Sequence, residues 1–261
     1  MQMGFFKKLL KYKGYFAKEY LKTFSDNSPK FIQTGKNLMA VPCGENGKKY
    51  LKKIIQNFGY EHFDYIIFVY DNTEFKEKIF EKCTVINEKG VLWYFAKKYL
   101  KPKTCISYDY IFFWDDDIDI INFNVEKFLE TMRRNELSVA QPALISKENS
   151  SLTITIKNPS YKIGRYTDFV EIMVPVFRRD AWKKWWEILE PEWNFWGWGY
   201  DKMFKSIKEI KKMGIIDSQT VLHTRPVTSG NNLQAREEMI RFCLKYQKYN
   251  IAKRINLRAL K

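Results

Sequence analysis

Residues 108–119 read YDYIFFWDDDID, and this stretch decides both the fold and the site that we expect. Residues 110–114 are all aromatic or aliphatic, which predicts a buried β-strand. Four aspartates follow within five residues: Asp115, Asp116, Asp117 and Asp119. Neighbouring buried carboxylates repel one another, and burial penalises their charge. A divalent cation relieves both costs, because Mg²⁺ or Mn²⁺ prefers oxygen ligands and often keeps bonds to substrate phosphates.

We therefore interpret the run of aspartates as a site for a metal ion and a diphosphate. Alternation along a strand places Asp115 and Asp117 on one face and Asp116 on the other. The alternative is an acidic loop that follows a strand and binds nothing.

The flanking sequence alternates buried strands with helices. Apolar runs predict strands at 38–41, 65–70, 83–87, 139–144, 152–156 and 220–222. Periodic apolar positions predict helices at 48–58, 91–100, 125–135 and 202–213. This order is typical of an α/β protein whose mostly parallel sheet is flanked by helices. Ligands of such sheets bind beyond the carboxyl ends of the strands.

Two further groups are candidates for the nucleotide. Asp71 follows the predicted strand at 65–70 and is suited to a nucleobase or ribose, although Asp71-Asn72 is also a good turn pair. Lys97 and Lys98 precede the acidic strand and could reach the diphosphate, or could be solvated lysines.

Residues 193–201 read WNFWGWGYD and predict a sugar-binding wall. Gly197 and Gly199 alternate with Trp196 and Trp198 and permit close approach of a ligand, and the two indole rings offer flat contact surfaces. Asp201 is interpreted either as the base that deprotonates an acceptor hydroxyl or as a helix N-cap.

His223 and Arg225 follow the last predicted strand, where they could complete a metal shell and bind phosphate oxygens. A structural His is the alternative. Glu171 lies inside an apolar run, where an unpaired carboxylate is costly. It could bind a sugar hydroxyl, replace Asp201 as the acid-base residue, or pair with Arg165 or Arg178.

The two ends of the chain carry most of the net charge of +15. Residues 4–24 have the period of a basic amphipathic helix, which either lies on an anionic membrane or packs on the domain. We expect a helical extension at 1–36, a catalytic domain at 37–230 and a basic helical tail at 231–261. No nucleic-acid-binding motif is recognised, and the four cysteines have no CxxC spacing, which favours reduced thiols in the cytoplasm.

Several collinear blocks resemble the family called domain of unknown function 707. They are 93–100 (WYFAKKYL), 108–117, 138–144 (SVAQPAL), 154–156, 169–171, 175–177, 181–182, 198–201 and His223. The resemblance covers roughly residues 37–230 and implies a GT-A-like, Rossmann-like glycosyltransferase fold. It carries Asp115 and Asp117 over as a metal-binding DxD pair, His223 as a late metal ligand and Asp201 as a candidate base. The WGWG block is also similar to that of β-1,4-galactosyltransferases, but Tyr200 and a single Asp201 stand where those enzymes have paired acids.

Together these features predict a glycosyltransferase that depends on Mn²⁺ or Mg²⁺. It would move a sugar from a nucleotide-sugar donor, with a UDP-sugar favoured, to a glycan or glycolipid acceptor in bacterial surface polysaccharide synthesis. Its expected location is the cytoplasm, peripheral on the inner face of the membrane. The donor residues expected are Asp71, Lys97, Trp114, Asp115, Asp116 and Arg225. Alternatives are a nucleotidyl- or phosphotransferase on a similar fold and a non-catalytic carbohydrate-binding module.

Overall fold

Ten strands form one sheet in the computed structural model, which describes residues 19–23, 35–145, 152–225 and 233–247. The strands are β1 (Glu19–Thr23), β2 (Lys36–Pro42), β3 (Phe63–Val69), β4 (Thr84–Asn87), β5 (Tyr108–Phe113), β6 (Ile118–Asn122), β7 (Val139–Leu144), β8 (Arg165–Thr167), β9 (Val176–Arg178) and β10 (Met213–His223). The helices are α1 (Lys48–Phe58), α2 (Leu92–Tyr99), α3 (Val125–Arg134), α4 (Arg179–Glu187) and α5 (Leu233–Gln247).

The sheet order is β1-β8-β10-β7-β9-β5-β2-β3-β4, and β6 also pairs with β10. Parallel pairing joins β5, β2, β3 and β4, and it joins β7 to β10. Strand β9 lies antiparallel between β5 and β7. Among the described strands, only β6, β8 and β9 run against the other seven. The predicted mostly parallel α/β sheet is confirmed.

Strand β5 divides the core because its side chains alternate between the two faces of the sheet. Phe112 packs with α1 and α3 on one face, whereas Phe113 packs with α2 and α4 on the other. Both layers are rich in aromatic side chains, and α5 adds Phe242 to the second layer. Burial on both faces explains why residues 110–114 read as an uninterrupted apolar run.

Two predicted elements are wrong, and a third is wrong over the five of its residues that the structure describes; in each case contacts elsewhere in the structure override the local pattern. Residues 19–23 of the predicted helix at 4–24 form β1, which pairs with β8; most of that helix lies outside the described residues. Residues 153–155 form a 3-10 turn, because Arg165 Nη2 donates to the carbonyls of Ile154 (2.7 Å) and Ile156 (2.8 Å).

The predicted helix at 202–213 is a 3-10 turn, Asp201–Ser206, followed by the start of β10. Gly214 pairs with Ala140 inside the sheet instead of ending a helix. Strand β6 was not predicted; its pairing of Ile118 with His223 brings the end of β10 to the aspartates. No helix in the described ranges has the length and hydrophobicity that crossing a bilayer requires.

Gly197 is required where the WGWG block crosses the start of α2. Its φ is +73°, and a Cβ built there would lie 1.8 Å from Trp93 Nε1. Gly59, which ends α1, has a similar φ of +69°, but a Cβ there would meet nothing within 4 Å. Comparing an alanine at each of the two positions therefore separates the cost of backbone strain from the cost of steric overlap.

We predict that Gly59→Ala lowers the free energy of unfolding by about 1–3 kcal/mol through strain alone, because a φ of +69° with a ψ of −172° is a conformation almost confined to glycine. Gly197→Ala should cost about 1–3 kcal/mol more, because Trp93 must move within a packed core. Urea denaturation of both variants measures the difference. Equal losses would contradict the close approach of Gly197 to Trp93.

Candidate functional site

The aspartate cluster lies at the carboxyl edge of the parallel strands. Strand β5 ends at Phe113 and β6 begins at Ile118, so residues 114–117 form the turn between them. The ends of β2 and β3 lie beside this turn, and β10 ends at His223 opposite Ile118. The topology thus brings Asp71, the three aspartates, His223 and Arg225 to one edge, as the sequence predicted.

Asp116 is buried against the turn that follows β2. Its Oδ2 accepts hydrogen bonds from Gly44 N (3.1 Å) and from the Tyr70 hydroxyl (2.8 Å). A Cβ at Gly47 would lie 2.3 Å from the same oxygen. Gly44, Gly47 and Tyr70 are therefore site residues that sequence reasoning missed. The signal was present in two glycines and a Tyr-Asp pair directly after neighbouring parallel strands.

Asp117 is tied to the end of β10. Its backbone carbonyl accepts from Thr224 N and Thr224 Oγ1, both at 2.9 Å. Its Oδ2 lies 2.9 Å from His223 Nε2 and 2.9 Å from Arg225 Nε. Within the described residues, its Oδ1 is buried and has no hydrogen-bond partner. One carboxylate oxygen thus remains available for a cationic ligand.

Ionisation of the Asp115 carboxyl group is electrostatically disfavoured. Its backbone N donates to Met173 O (2.9 Å), and its side chain is partly buried. Burial raises the pKa of Asp115 well above its usual value, and the charge of Asp117 raises it further, while His223 and Arg225 act in the opposite direction. Added positive charge at this point would stabilise the ionised carboxylate.

Arg225 supplies cationic charge to this edge. Its Nη2 donates to Asp116 Oδ1, its Nε donates to Asp117 Oδ2, and about half of its side chain is exposed. Asp116 and Asp117 both reach this one guanidinium, so the predicted placement of Asp116 on the opposite face is wrong. The reason is that residues 114–117 form a turn and do not continue the strand.

The donor set fits a hard divalent cation in its chemistry. Asp115 and Asp117 offer carboxylate oxygens, one of them without a partner, and His223 offers an imidazole nitrogen. In the described residues, no group of three or more His, Cys, Asp or Glu side chains is already arranged around a metal position. Binding would therefore require these side chains to rearrange around the ion.

Asp71 shapes the neighbouring turn. Its two oxygens accept from Glu45 N (3.1 Å) and Thr73 N (2.9 Å). Burial acts to raise the pKa of Asp71, but the hydrogen bonds from Thr73 and Glu45 outweigh it and hold the pKa below its usual value. Asp71 is exposed, and a Cβ at Gly44 would lie 2.5 Å from its Oδ2, which places it beside the aspartate cluster.

Two predicted donor residues are placed elsewhere. The ring of Trp114 is fully buried among Phe58, Phe112 and Phe123, so it has no surface to offer a nucleotide. Lys97 Nζ donates to Trp186 O (3.2 Å) and lies 4.0 Å from the centre of the Trp186 ring, which fixes it on α4. The structure therefore contradicts a donor-binding role for Trp114, whereas such a role for Lys97 stays a prediction.

Asp201, Trp196 and Trp198 form a second group beside α5, and among the described residues no hydrogen bond or ion pair joins this group to the aspartate cluster. Asp201 is partly buried, and its nearest cationic atom is Lys202 Nζ at 3.9 Å from Oδ1. Tyr200 is the residue at the N-cap position of the 3-10 turn and Asp201 is the first residue of the turn itself, which disfavours the N-cap interpretation. Trp196 is exposed, whereas Trp198 is partly buried.

Glu171 is buried and lies two residues before Met173, whose carbonyl accepts a hydrogen bond from Asp115 N. Its backbone N donates to Gln141 Oε1 (2.5 Å). The two arginines that the sequence offered as partners are engaged with other acids. Arg165 pairs with Asp217, and Arg178 pairs with Asp180.

Solved structures share this fold. One is GalNAc-T7 with UDP, GalNAc and Mn²⁺, with a TM-score of 0.55 and 10% sequence identity over 84% of this chain and 48% of that one. Another is TarS residues 1–349 of S. aureus in complex with UDP-GlcNAc, with a TM-score of 0.52 and 13% identity over 82% and 67% of the two chains. Both are GT-A glycosyltransferases, so the GT-A-like fold is confirmed. The chain spans about half the length of the GalNAc-T7 chain.

No curated protein sequence matches the chain. A family model does match it, over residues 8–168 and 165–258, and so extends into both of the predicted basic extensions. The chain therefore belongs to the family described as "Protein of unknown function (DUF707)", as the sequence blocks had indicated.

Proposed function

We propose that this protein is a metal-dependent glycosyltransferase that uses a nucleotide-sugar donor, with a UDP-sugar favoured. One observation carries the proposal: Asp115, Asp116 and Asp117 meet at the carboxyl edge of a GT-A-like sheet, and Asp117 Oδ1 is buried there without a partner among the described residues. A site of this kind suits a cation and the phosphates that the cation neutralises.

The donor end of the site is assigned to the ends of β2, β3, β5 and β10. Asp115, Asp117 and His223 would hold Mn²⁺ or Mg²⁺, which when bound would neutralise the diphosphate leaving group. Arg225 is half-exposed and lies between the carboxylates and solvent, so it is suited to bind phosphate oxygens. Exposed Asp71 is placed to accept from the nucleoside.

The acceptor end is assigned to the second group beside α5. The rings of Trp196 and Trp198 would stack on a sugar of the acceptor. Asp201 or Glu171 would accept the proton of the acceptor hydroxyl while its oxygen bonds to the anomeric carbon of the donor. The bond between that carbon and the diphosphate oxygen breaks in the same step, and the electron pair leaves with the nucleoside diphosphate.

The acceptor class proposed is a glycan or glycolipid of bacterial surface polysaccharide synthesis. The GalNAc-T7 and TarS structures support the donor class, since both contain UDP or a UDP-sugar. The net charge of +15 supports work near an anionic surface, on the inner face of the membrane.

We predict that calorimetry with UDP, GDP and CMP, each with and without Mn²⁺, will detect metal-dependent binding of one nucleotide, with UDP favoured. Asp115→Asn/Asp117→Asn should weaken that binding by about tenfold or more, because the cation loses two charged ligands. Asp109→Asn is the matched control, since Asp109 lies on the same strand about 20 Å from Asp115. If no nucleotide binds under any metal condition, the proposal fails and a non-catalytic carbohydrate-binding module becomes the better explanation.

A second prediction concerns the cost of keeping Asp201 ionised. Burial raises the pKa of Asp201, and Lys202 opposes this only in part. Because the folded-state pKa lies above the usual value of 3.8, the ionised side chain destabilises the fold at neutral pH, and this cost disappears as the pH falls below that value. Asp201→Asn should therefore stabilise the protein at pH 7 and leave its stability unchanged near pH 3.

Asp217→Asn is the control for this measurement. Asp217 is also buried, but it is paired with Arg165, so its replacement should cost about 3 kcal/mol at pH 7. Thermal unfolding between pH 3 and pH 7 distinguishes the two acids. A loss of stability in Asp201→Asn as large as that in Asp217→Asn would show that Asp201 is a structural residue.

A further inference from the structure

Five exposed apolar side chains lie on α5 and on the turn at residues 193–196, which contacts α5 through Trp193 and Trp196. They are half of the ten large hydrophobic side chains that are exposed among the described residues. We call them the aromatic patch: Trp193, Phe195, Trp196, Leu233 and Leu244. Clusters of this kind mark interaction surfaces, because scattered exposure is normal but contiguous exposure is costly.

The turn that carries the aromatic rings is held from inside. Buried Asn194 donates through Nδ2 to Trp198 O (3.0 Å), and its Oδ1 accepts from Gly197 N (3.1 Å). Buried Glu238 on α5 accepts from Trp196 N (3.1 Å). Turning the rings inward would break these buried hydrogen bonds, so the fold keeps Trp193 and Trp196 on the outside.

Helix α5 extends the patch with a stripe on its outer face. Ala235, Glu238 and Phe242 are buried against the domain. Leu233, partly buried Ile240 and Leu244 are spaced by seven and four residues, which puts them on one line along the opposite face, together with exposed Glu237. Arg236 and Arg241 lie at the two edges of that line. Apolar side chains flanked by arginines on one helix face are a feature of helices that lie in a membrane interface.

The charge that favours an anionic partner for this surface comes from the segment that follows α5 in sequence, because Lys245 itself is ion-paired with Glu190. Lys245 Nζ lies 5.9 Å from the centre of the Trp193 ring, so the last turn of α5 is beside the aromatic turn. Residues 248–261, which follow α5 in sequence, include five basic and no acidic residues: Lys248, Lys253, Arg254, Arg258 and Lys261. Basic segments next to an interfacial helix bind anionic lipid headgroups.

We propose that the aromatic patch is a membrane-binding surface, with Trp193 and Phe195 in the interfacial layer of an anionic bilayer, Leu233 and Leu244 beside them, and Trp196 at the border with the acceptor end of the site. Tryptophan favours this layer because its ring is apolar and its N–H can remain hydrated. A carbohydrate platform would place one ring beside polar groups in a concave site. The patch instead spans a turn and three helical turns, which suits a flat surface. The inference does not depend on the donor chemistry, because vesicle binding requires neither nucleotide nor metal.

Sedimentation with sucrose-loaded vesicles tests the proposal. Vesicles of three parts phosphatidylcholine to one part phosphatidylglycerol should bind the full-length protein at low salt. Trp193→Ser/Leu233→Ser/Leu244→Ser should lower the partition coefficient by about tenfold or more, because three apolar contacts are lost. Ile106→Ser is the matched control, because Ile106 and Trp193 are each 68% exposed and Ile106 lies before β5. It should bind like the wild type, and circular dichroism confirms that each variant is folded.

A second readout locates Trp193 directly. Lipids with brominated acyl chains should quench wild-type tryptophan fluorescence more than that of Trp193→Phe, which keeps an apolar ring but removes the fluorophore. Equal quenching of the two proteins, or wild-type binding by the triple variant, would overturn the proposal. Protection of Trp193 by a soluble oligosaccharide without vesicle binding would also overturn it and assign the patch to a glycan.

Discussion

The crowding of Asp115, Asp116 and Asp117 on one turn of four residues is the constraint on which the rest of the site depends. Three buried or partly buried carboxylates repel one another, so the fold must bring donors and positive charge to them. Gly44, Tyr70 and Thr224 supply hydrogen bonds, while Arg225 bridges Asp116 and Asp117. The neutralisation is incomplete, because Asp117 Oδ1 has no partner in the described residues and the pKa of Asp115 remains raised. A bound cation would relieve this repulsion.

The register of the sheet places these partners beside the aspartates. Parallel pairing of β2, β3 and β5 puts the ends of three strands side by side, and β6 folds back to meet the end of β10. The register of β10 shifts between Ile216 and Thr220, where Asp217 forms a buried ion pair with Arg165. The same arginine holds the carbonyls of residues 154 and 156. Strand β10 thus carries a buried ion pair at its bulge and His223 at its end, beside the aspartates.

The sequence predicted the parallel half of the fold well because each of those strands is buried on both faces and reads as an apolar run. It also predicted the meeting of Asp71, the aspartates, His223 and Arg225, since strand ends in such sheets share an edge. It did not reveal β6, whose Asp119 interrupts the apolar pattern, or the turn that lets Asp116 and Asp117 share one guanidinium. Trp114 was misassigned because an apolar strand end and a ligand-binding ring look alike in sequence. Only packing against Phe58 and Phe123 distinguishes them.

The most direct test of the account is anomalous diffraction at the manganese edge from crystals grown with UDP and Mn²⁺. The account predicts a single strong peak about 2.2 Å from carboxylate oxygens of Asp115 and Asp117, with the UDP diphosphate bound to the ion and Arg225 turned from Asp117 to a phosphate. A peak at another position, or UDP bound away from this edge with Arg225 still on both aspartates, would contradict it.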